Sequence, residues 1–233
     1  MTVAERCAAV RERIGAAARR AGRDPAAVRL VGAAKRQPIA AVAEAVRAGL
    51  RDVGANYVQE ALAQRRALAD ALGPALFEAV AWHGIGHVQR NKAREAVACF
   101  DWLHGVDGAP LAAELSKRAG EAGRTCIALV QVNLSGEATK SGVAEADLPA
   151  LLDAVRALPH LRLAGLMTMP APAPDPERAR PVFARLRALA AHHGLGELSM
   201  GMSDDFEVAV EEGATLVRIG TSLFGVRPGR EDA

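Results

Sequence analysis

Eight short apolar runs, separated by stretches with helical periodicity, constrain this chain more than any other feature. The strand-like runs cover residues 28–34, 52–56, 81–86, 100–105, 125–133, 163–169, 197–201 and 215–220. Between them lie helix-patterned stretches at 39–49, 57–72, 88–98, 110–122, 144–158, 176–193 and 203–212. A further helix leads the chain. Val3, Cys7, Val10, Ile14, Ala17 and Ala21 recur at its period, Gly22 ends it, and Asp24-Pro25 opens the next element. Strict strand–helix alternation requires parallel pairing with right-handed crossovers. Eight such units are the number that closes into a (β/α)8 barrel, the TIM-barrel architecture. A doubly wound open sheet would need fewer strands and a glycine-rich turn after the first one. Gly32-Ala33-Ala34-Lys35 is not such a turn.

Length agrees with one barrel. The chain has 233 residues, half of them hydrophobic, enough for one sizeable core. No linker divides it, and the proline-rich stretch 170–176 reads as a stiff loop at the barrel mouth. The expectation is an α/β fold with a single barrel domain over 1–233. Residues 1–24 form a leading helix packed on the barrel, and 226–233 a short tail.

Charge and composition exclude several classes. Net charge is +2, no basic run is present, and aromatic residues make up 3%, which argues against nucleic-acid binding. No apolar run is long enough to span a membrane, and the N-terminus lacks a secretory signal's apolar core, so a cytoplasmic protein is expected. The three cysteines, Cys7, Cys99 and Cys126, are odd in number and widely spaced. They read as small buried hydrophobes, without a disulfide framework or zinc site.

Active sites of such barrels lie at the carboxyl ends of the strands. The first run ends in Lys35, the second in Asn56, and the third carries His83 and His87. The last two runs end in Ser203 and in Arg218-Ile219-Gly220-Thr221. Of 29 basic residues only Lys35, Lys92, Lys117 and Lys140 are lysines. Arginine supplies generic charge but never a neutral amine, so a lysine retained at a strand end points to amine chemistry. The plainer alternative is a solvated charge. The loops after strands seven and eight are the recurrent phosphate site of these barrels, and Ser203, Gly220 and Thr221 suit it. Ser203 reads equally as a helix N-cap beside Asp204 and Asp205, and the two roles are compatible. Arg218, inside the apolar run Leu216–Ile219, requires a partner: a structural carboxylate, or a ring nitrogen or phosphate of a ligand. His83 and His87 run from strand into a glycine-containing loop, which is not helical zinc spacing. No metal site is expected, and His83 is read as a pocket-lining or hydrogen-bonded residue. The loop 133–142 reads as a solvated loop or a lid. A strand-end lysine with a phosphate site suggests a Schiff base to a phosphorylated carbonyl compound. Pyridoxal phosphate and a sugar-phosphate aldolase substrate both fit.

Several stretches resemble the pyridoxal-phosphate homeostasis proteins, which share the barrel of the alanine racemase N-terminal domain. They are Leu30–Lys35, Gly54–Glu60, Trp82–Lys92, Val132–Gly142, Gly165–Pro170, Leu198–Phe206 and Val217–Gly225, extending over almost the whole chain. Ser199-Met200-Gly201-Met202-Ser203-Asp204-Asp205-Phe206 is the most specific. The resemblance implies that Lys35 forms a Schiff base with pyridoxal phosphate (PLP) and that Ser203, Gly220 and Thr221 bind its phosphate. It places Asn56 and Arg218 near the pyridine ring; His83 joins the expected cofactor-binding residues on its own reading as a pocket-lining one. The family usually carries a bulky residue at the position of Gly84 and a small one at that of Arg90, which leaves the pocket shape by the third strand open. The implied role is intracellular PLP homeostasis and amino-acid balance, with apo-enzymes as acceptors of the cofactor.

Catalysis is not expected. Racemisation needs a proton donor on each face of the aldimine, and in the racemases the second resembles a tyrosine from another domain. This chain has one tyrosine, Tyr57. An arginine beside the ring nitrogen also disfavours the protonated pyridine that serves as electron sink. A cofactor-holding monomer is therefore expected, the alternative being a small fold-type-III enzyme acting on an amino acid.

Overall fold

The structure is a computed structural model and describes residues 1–135 and 141–225. Within these, eight parallel strands close into a barrel in sequence order. They are β1 (Arg29–Ala33), β2 (Asp52–Ala55), β3 (Ala81–Gly84), β4 (Trp102–Val106), β5 (Cys126–Gln131), β6 (Leu161–Met167), β7 (Glu197–Ser199) and β8 (Leu216–Ile219). The barrel is closed by pairing β1 with β8, with Val31 opposite Arg218. The helices are α1 (Val3–Arg20), α2 (Ile39–Arg47), α3 (Val58–Leu72), α4 (Pro74–Glu78), α5 (Ala93–Cys99), α6 (Ala109–Glu121), α7 (Leu148–Arg156), α8 (Arg180–His192), α9 (Phe206–Glu211) and α10 (Thr221–Phe224). The (β/α)8 barrel expected from the alternation is the fold observed. Two short helices are additional. Gly73, at φ 74°, breaks the chain and Pro74 starts α4 immediately afterwards. The four-residue α10 is too short to leave a periodic signal. The tail 226–233 and much of the loop 133–142 lie outside the described residues.

Helix α1 forms for local reasons as well as packing ones. Thr2 and Glu5 make a reciprocal capping box at its start. Its buried stripe of Val3, Cys7, Val10, Ile14, Ala17 and Ala18 lies against α2, α9 and α10. Each large aliphatic on that stripe contributes about 2 kcal/mol by leaving water. Arginines fasten the helix further. Arg6 donates to the Leu223 and Phe224 carbonyls, and Arg11 to those of Ala48 and Gly49. The three cysteines are free and buried, and burial pushes the Cys99 thiol up to about 11.

Strand side chains alternate between the outer helical layer and the barrel interior. Gly32 and Gly84 face outward. A Cβ at Gly84 would lie 2.8 Å from the Phe100 ring, so Phe100 fills the volume that a bulky residue there would need. The absence of a side chain at 84 is therefore accommodated in the helical layer. At Gly165 a Cβ would overlap the Glu197 carbonyl on paired strand β7.

The interior combines an apolar layer with a polar one. Val31, Ile85, Trp102, Leu129, Met167 and Leu216 pack together. Beside them His83, His104, Ser199 and Arg218 are buried and joined by hydrogen bonds. Burial pushes the His83 imidazolium below its ordinary range, partly opposed by Asp52. His104 is held well below that range by burial, then by His83 and Arg218. Both rings are thus neutral inside the fold.

Two outcomes test this architecture. Gly165→Ala should lose about 3 kcal/mol or more of stability by urea denaturation, because backbone must move to admit the methyl; an unchanged midpoint would contradict the close β6–β7 approach. As pH falls through about 6.5, the unfolded chain takes up protons that buried His83 and His104 refuse. Stability is therefore retained above that pH and falls on acidification, by up to about 2.7 kcal/mol per unit for two groups. His104→Gln should remove roughly half of this slope between pH 6 and 5, whereas an undiminished slope would place the titration elsewhere.

Candidate cofactor cavity at the barrel mouth

Lys35 lies two residues beyond β1, in the turn that leads to α2. The turn is closed by the Gln37 amide donating to the Ala34 carbonyl. Arg36 sits at φ 57°, the left-handed region, at a cost of about 1 kcal/mol for a residue with a side chain. Helix α3 holds this strained turn. Glu60 accepts from the Arg36 amide at 2.5 Å, and the Gln64 amide group donates to the Ala34 carbonyl at 2.9 Å. The Lys35 Nζ lies 5.1 Å from the centre of the Tyr57 ring, within cation–π range. Sequence reasoning did not single out Glu60 and Gln64. Their signal is a pair of polar side chains four residues apart on the face of α3 that carries Ala61 and Leu68.

Asn56 follows β2, and the neighbouring loop reaches it closely. A Cβ at Gly86 would stand 2.6 Å from the Asn56 carbonyl oxygen, so only glycine permits this approach. Across the barrel, Ser203 and Ser222 stitch two loops together. The Ser222 amide donates to Ser203 Oγ at 3.3 Å, and the Ser222 hydroxyl to the Ser203 carbonyl at 3.4 Å. Ser203 is not the N-cap of α9. The helix begins at Phe206, and Asp205 turns back to accept from the Met202 amide at 2.7 Å. That bond takes over the turn-closing role read for Ser203 and leaves its hydroxyl facing the other loop. Burial raises the Asp205 carboxyl above the usual carboxylate range.

Arg218 is 4% exposed. Its partners are the Ser199 hydroxyl at 2.5 Å and the Thr168 carbonyl at 3.0 Å. Neither is a carboxylate. Burial lowers the guanidinium to about 10, with Asp205 opposing, so it remains a cation at neutral pH.

Lys35, Asn56, Ser203, Arg218, Gly220 and Thr221 line one cavity of about 360 Å3, together with Ala33, Ile85, Met169, Met202 and Asp204. This volume lies within the range of small-molecule sites, about 300–1,000 Å3. An amine, a buried guanidinium, two hydroxyls and a glycine converge there from the ends of β1, β7 and β8. His83 is absent from this lining. It sits fully buried, with Nδ1 against His104 at 2.9 Å and Nε2 against Asp52 at 2.9 Å. Of the two roles read for it, the structure places it in the hydrogen-bonded one. Its strand neighbour Ile85 reaches the cavity instead. His87 pairs with Asp107 outside the cavity. Among the described residues no three His, Cys, Asp or Glu side chains gather as metal ligands, and no helix is long and apolar enough to cross a membrane.

Comparison with known proteins agrees with this geometry. Residues 6–228 match the family model described as alanine racemase, N-terminal domain. The pyridoxal phosphate homeostasis protein of Pseudomonas aeruginosa is 50% identical over 228 residues, covering 97% of this chain and 96% of that one. The protein of the same name from Escherichia coli K12 is 41% identical over 232 residues, covering 97% of each. PipY of Synechococcus elongatus, solved with PLP bound, superposes with a TM-score of 0.83 at 39% identity, covering 96% of this chain and all of that one. With a near-full-length match in sequence and in fold, the chain belongs to the pyridoxal phosphate homeostasis protein family, built on the alanine racemase N-terminal-domain barrel.

Proposed function

We propose that the mouth cavity binds pyridoxal 5'-phosphate through a Schiff base to Lys35, and that the protein holds and releases this cofactor in the service of its intracellular supply. One observation carries the reading: six residues from four separate stretches of the sequence line a single cavity, in a chain whose relative PipY is solved with PLP bound. The donors suit the ligand. The Lys35 amine meets its aldehyde. Ser203 and Thr221 hydroxyls and the chain at Gly220 receive the phosphate, where glycine allows close approach. Asn56 and the Arg218 cation take the ring side.

The same cavity favours holding over catalysis. PLP chemistry on amino acids draws on the ring as an electron sink, which is strongest when its nitrogen is protonated. A buried guanidinium that remains charged at neutral pH opposes a second positive charge beside it. The protein then acts as a monomeric reservoir, a single barrel domain with α1 packed against it among the described residues, from which apo-enzymes draw the cofactor.

Three measurements test the proposal. The protein should take up PLP with a visible absorption band that Lys35→Ala abolishes, and borohydride should fix the label on Lys35; a protein that stays colourless with added PLP would sink the reading. Ser203→Ala should weaken PLP by roughly tenfold or more, the scale of one hydrogen bond to a charged group, and leave unphosphorylated pyridoxal unaffected. Equal losses for both ligands would move the phosphate elsewhere. Amino acids in deuterium oxide should show no multiple-turnover exchange of the α-proton. Exchange dependent on Lys35 would make the protein an enzyme.

A further inference from the structure

Arg218 offers only donors. One goes to the Thr168 carbonyl and one to Ser199 Oγ. The Asp52 carboxylate at the far end of the series accepts only, and with both imidazoles neutral this fixes the direction of each bond between the two ends. Ser199 accepts from the guanidinium, and its own proton goes to His104 Nδ1, 2.8 Å away. That nitrogen is then bare, and a neutral His104 carries its proton on Nε2, facing His83 Nδ1 at 2.9 Å. His83 in turn donates from Nε2 to Asp52 Oδ1 at 2.9 Å. The carboxylate accepts only and ends the series, with Arg29 beside it at 3.4 Å. Every donor and acceptor in the series is matched when both imidazoles are neutral, and burial keeps both rings in that form.

The series crosses the barrel interior. Arg218 lines the cofactor cavity, whereas Asp52 and Arg29 line a separate hollow of about 430 Å3 beside α1. It links side chains from β8, β7, β4, β3 and β2, and none of its inner members touches the mouth cavity. Trp102 stacks on His83, with ring centres 5.4 Å apart, and restrains that ring. Among the described residues the guanidinium therefore donates to no carboxylate, and the nearest anion in its hydrogen-bonded series is Asp52, three side chains away.

We propose that Asp52 is a positioning residue for the cofactor site: through His83, His104 and Ser199 it fixes the orientation in which Arg218 faces the pyridine ring. The proposal rests on the PLP reading of the cavity for its last step only. Its first test needs no cofactor. Protein labelled with 15N-histidine should show His83 and His104 as neutral Nε2–H tautomers at pH 7 in long-range proton–nitrogen spectra. An Nδ1–H tautomer or an imidazolium at either ring would overturn the relay.

The second test uses the loaded protein. Asp52→Leu removes both charge and acceptor; Asp52→Asn keeps an acceptor oxygen. In Asp52→Leu the His104 signals and the ring-nitrogen resonance of bound 15N-PLP should shift. Cofactor release should quicken by about tenfold, the scale on which outer partners act on ligating groups. Asp52→Asn should lie between this variant and the wild type. Should Asp52→Leu not fold, the wild-type tautomers and Asp52→Asn decide the matter. Normal loading on Lys35 with His104, the ring nitrogen and release all unchanged would refute the positioning role alone. Failure of the wild type to load would refute the cofactor reading and remove the positioning role with it.

Discussion

A guanidinium inside a closed barrel is the constraint around which the site is arranged. Removing a cation from water costs several kcal/mol unless it is paired or fully hydrogen-bonded. Arg218 is 4% exposed and, among the described residues, has no carboxylate hydrogen-bond partner; a hydroxyl and a backbone carbonyl receive its N–H groups, with Asp205 acting on it only through its charge. That arrangement demands a hydroxyl on β7 and acceptors behind it, and neutral imidazoles on β4 and β3 provide them. A layer of such barrels would ordinarily hold branched aliphatics. Here part of the interior is given to polar side chains, and burial holds His104 well below its ordinary range. The polar interior and the buried cation form one structural unit.

The fold was legible because its signal is collective. Eight runs and seven helical stretches identify a barrel even where individual boundaries shift by up to five residues. The first run was read to its lysine, yet β1 ends at Ala33 and Lys35 stands in the following turn. The convergence of Lys35, Asn56, Ser203, Arg218, Gly220 and Thr221 was also legible, since barrel topology brings strand ends together whatever the strand register. The interior series was not. Asp52, His83, His104 and Ser199 meet only through the register of pairs such as Gly54 with His83 and His83 with Trp102. Periodicity cannot supply register in a parallel barrel whose strands are apolar on both faces. Nothing in the sequence around His104 marks it as a partner of His83, and the motif around His83 points equally to the pocket.

Ser203 shows how local rules mislead at a functional turn. A serine before two acids and an apolar run is a good N-cap by composition. The helix nevertheless starts at Phe206, because Asp205 closes the turn on the Met202 amide and Gly201, at φ 92°, bends the chain before it. Asp205, next to the helix, spends its side chain on the upstream Met202 amide and makes no side-chain cap bond to α9. The hydroxyl left over joins the β7 and β8 loops, where the ligand phosphate is proposed to lie.

The scarcity of lysine has a physical counterpart in what the arginines do. Arg6, Arg11, Arg23, Arg51 and Arg124 each donate to two backbone carbonyls, several of them at helix ends. A planar fork satisfies two such orphan acceptors at once, which a rotating ammonium does less well. Part of the surface charge in this chain is thus carbonyl capping, and arginine is the better residue for it. Lys35 has the opposite requirement. Strand β1, the strained turn at Arg36 and the ring of Tyr57 set an amine beside the cavity, and a guanidinium there could not form an imine. The composition separates two tasks that share a charge: arginine fastens the scaffold, and Lys35 brings an amine to the cavity for the covalent, reversible attachment proposed above.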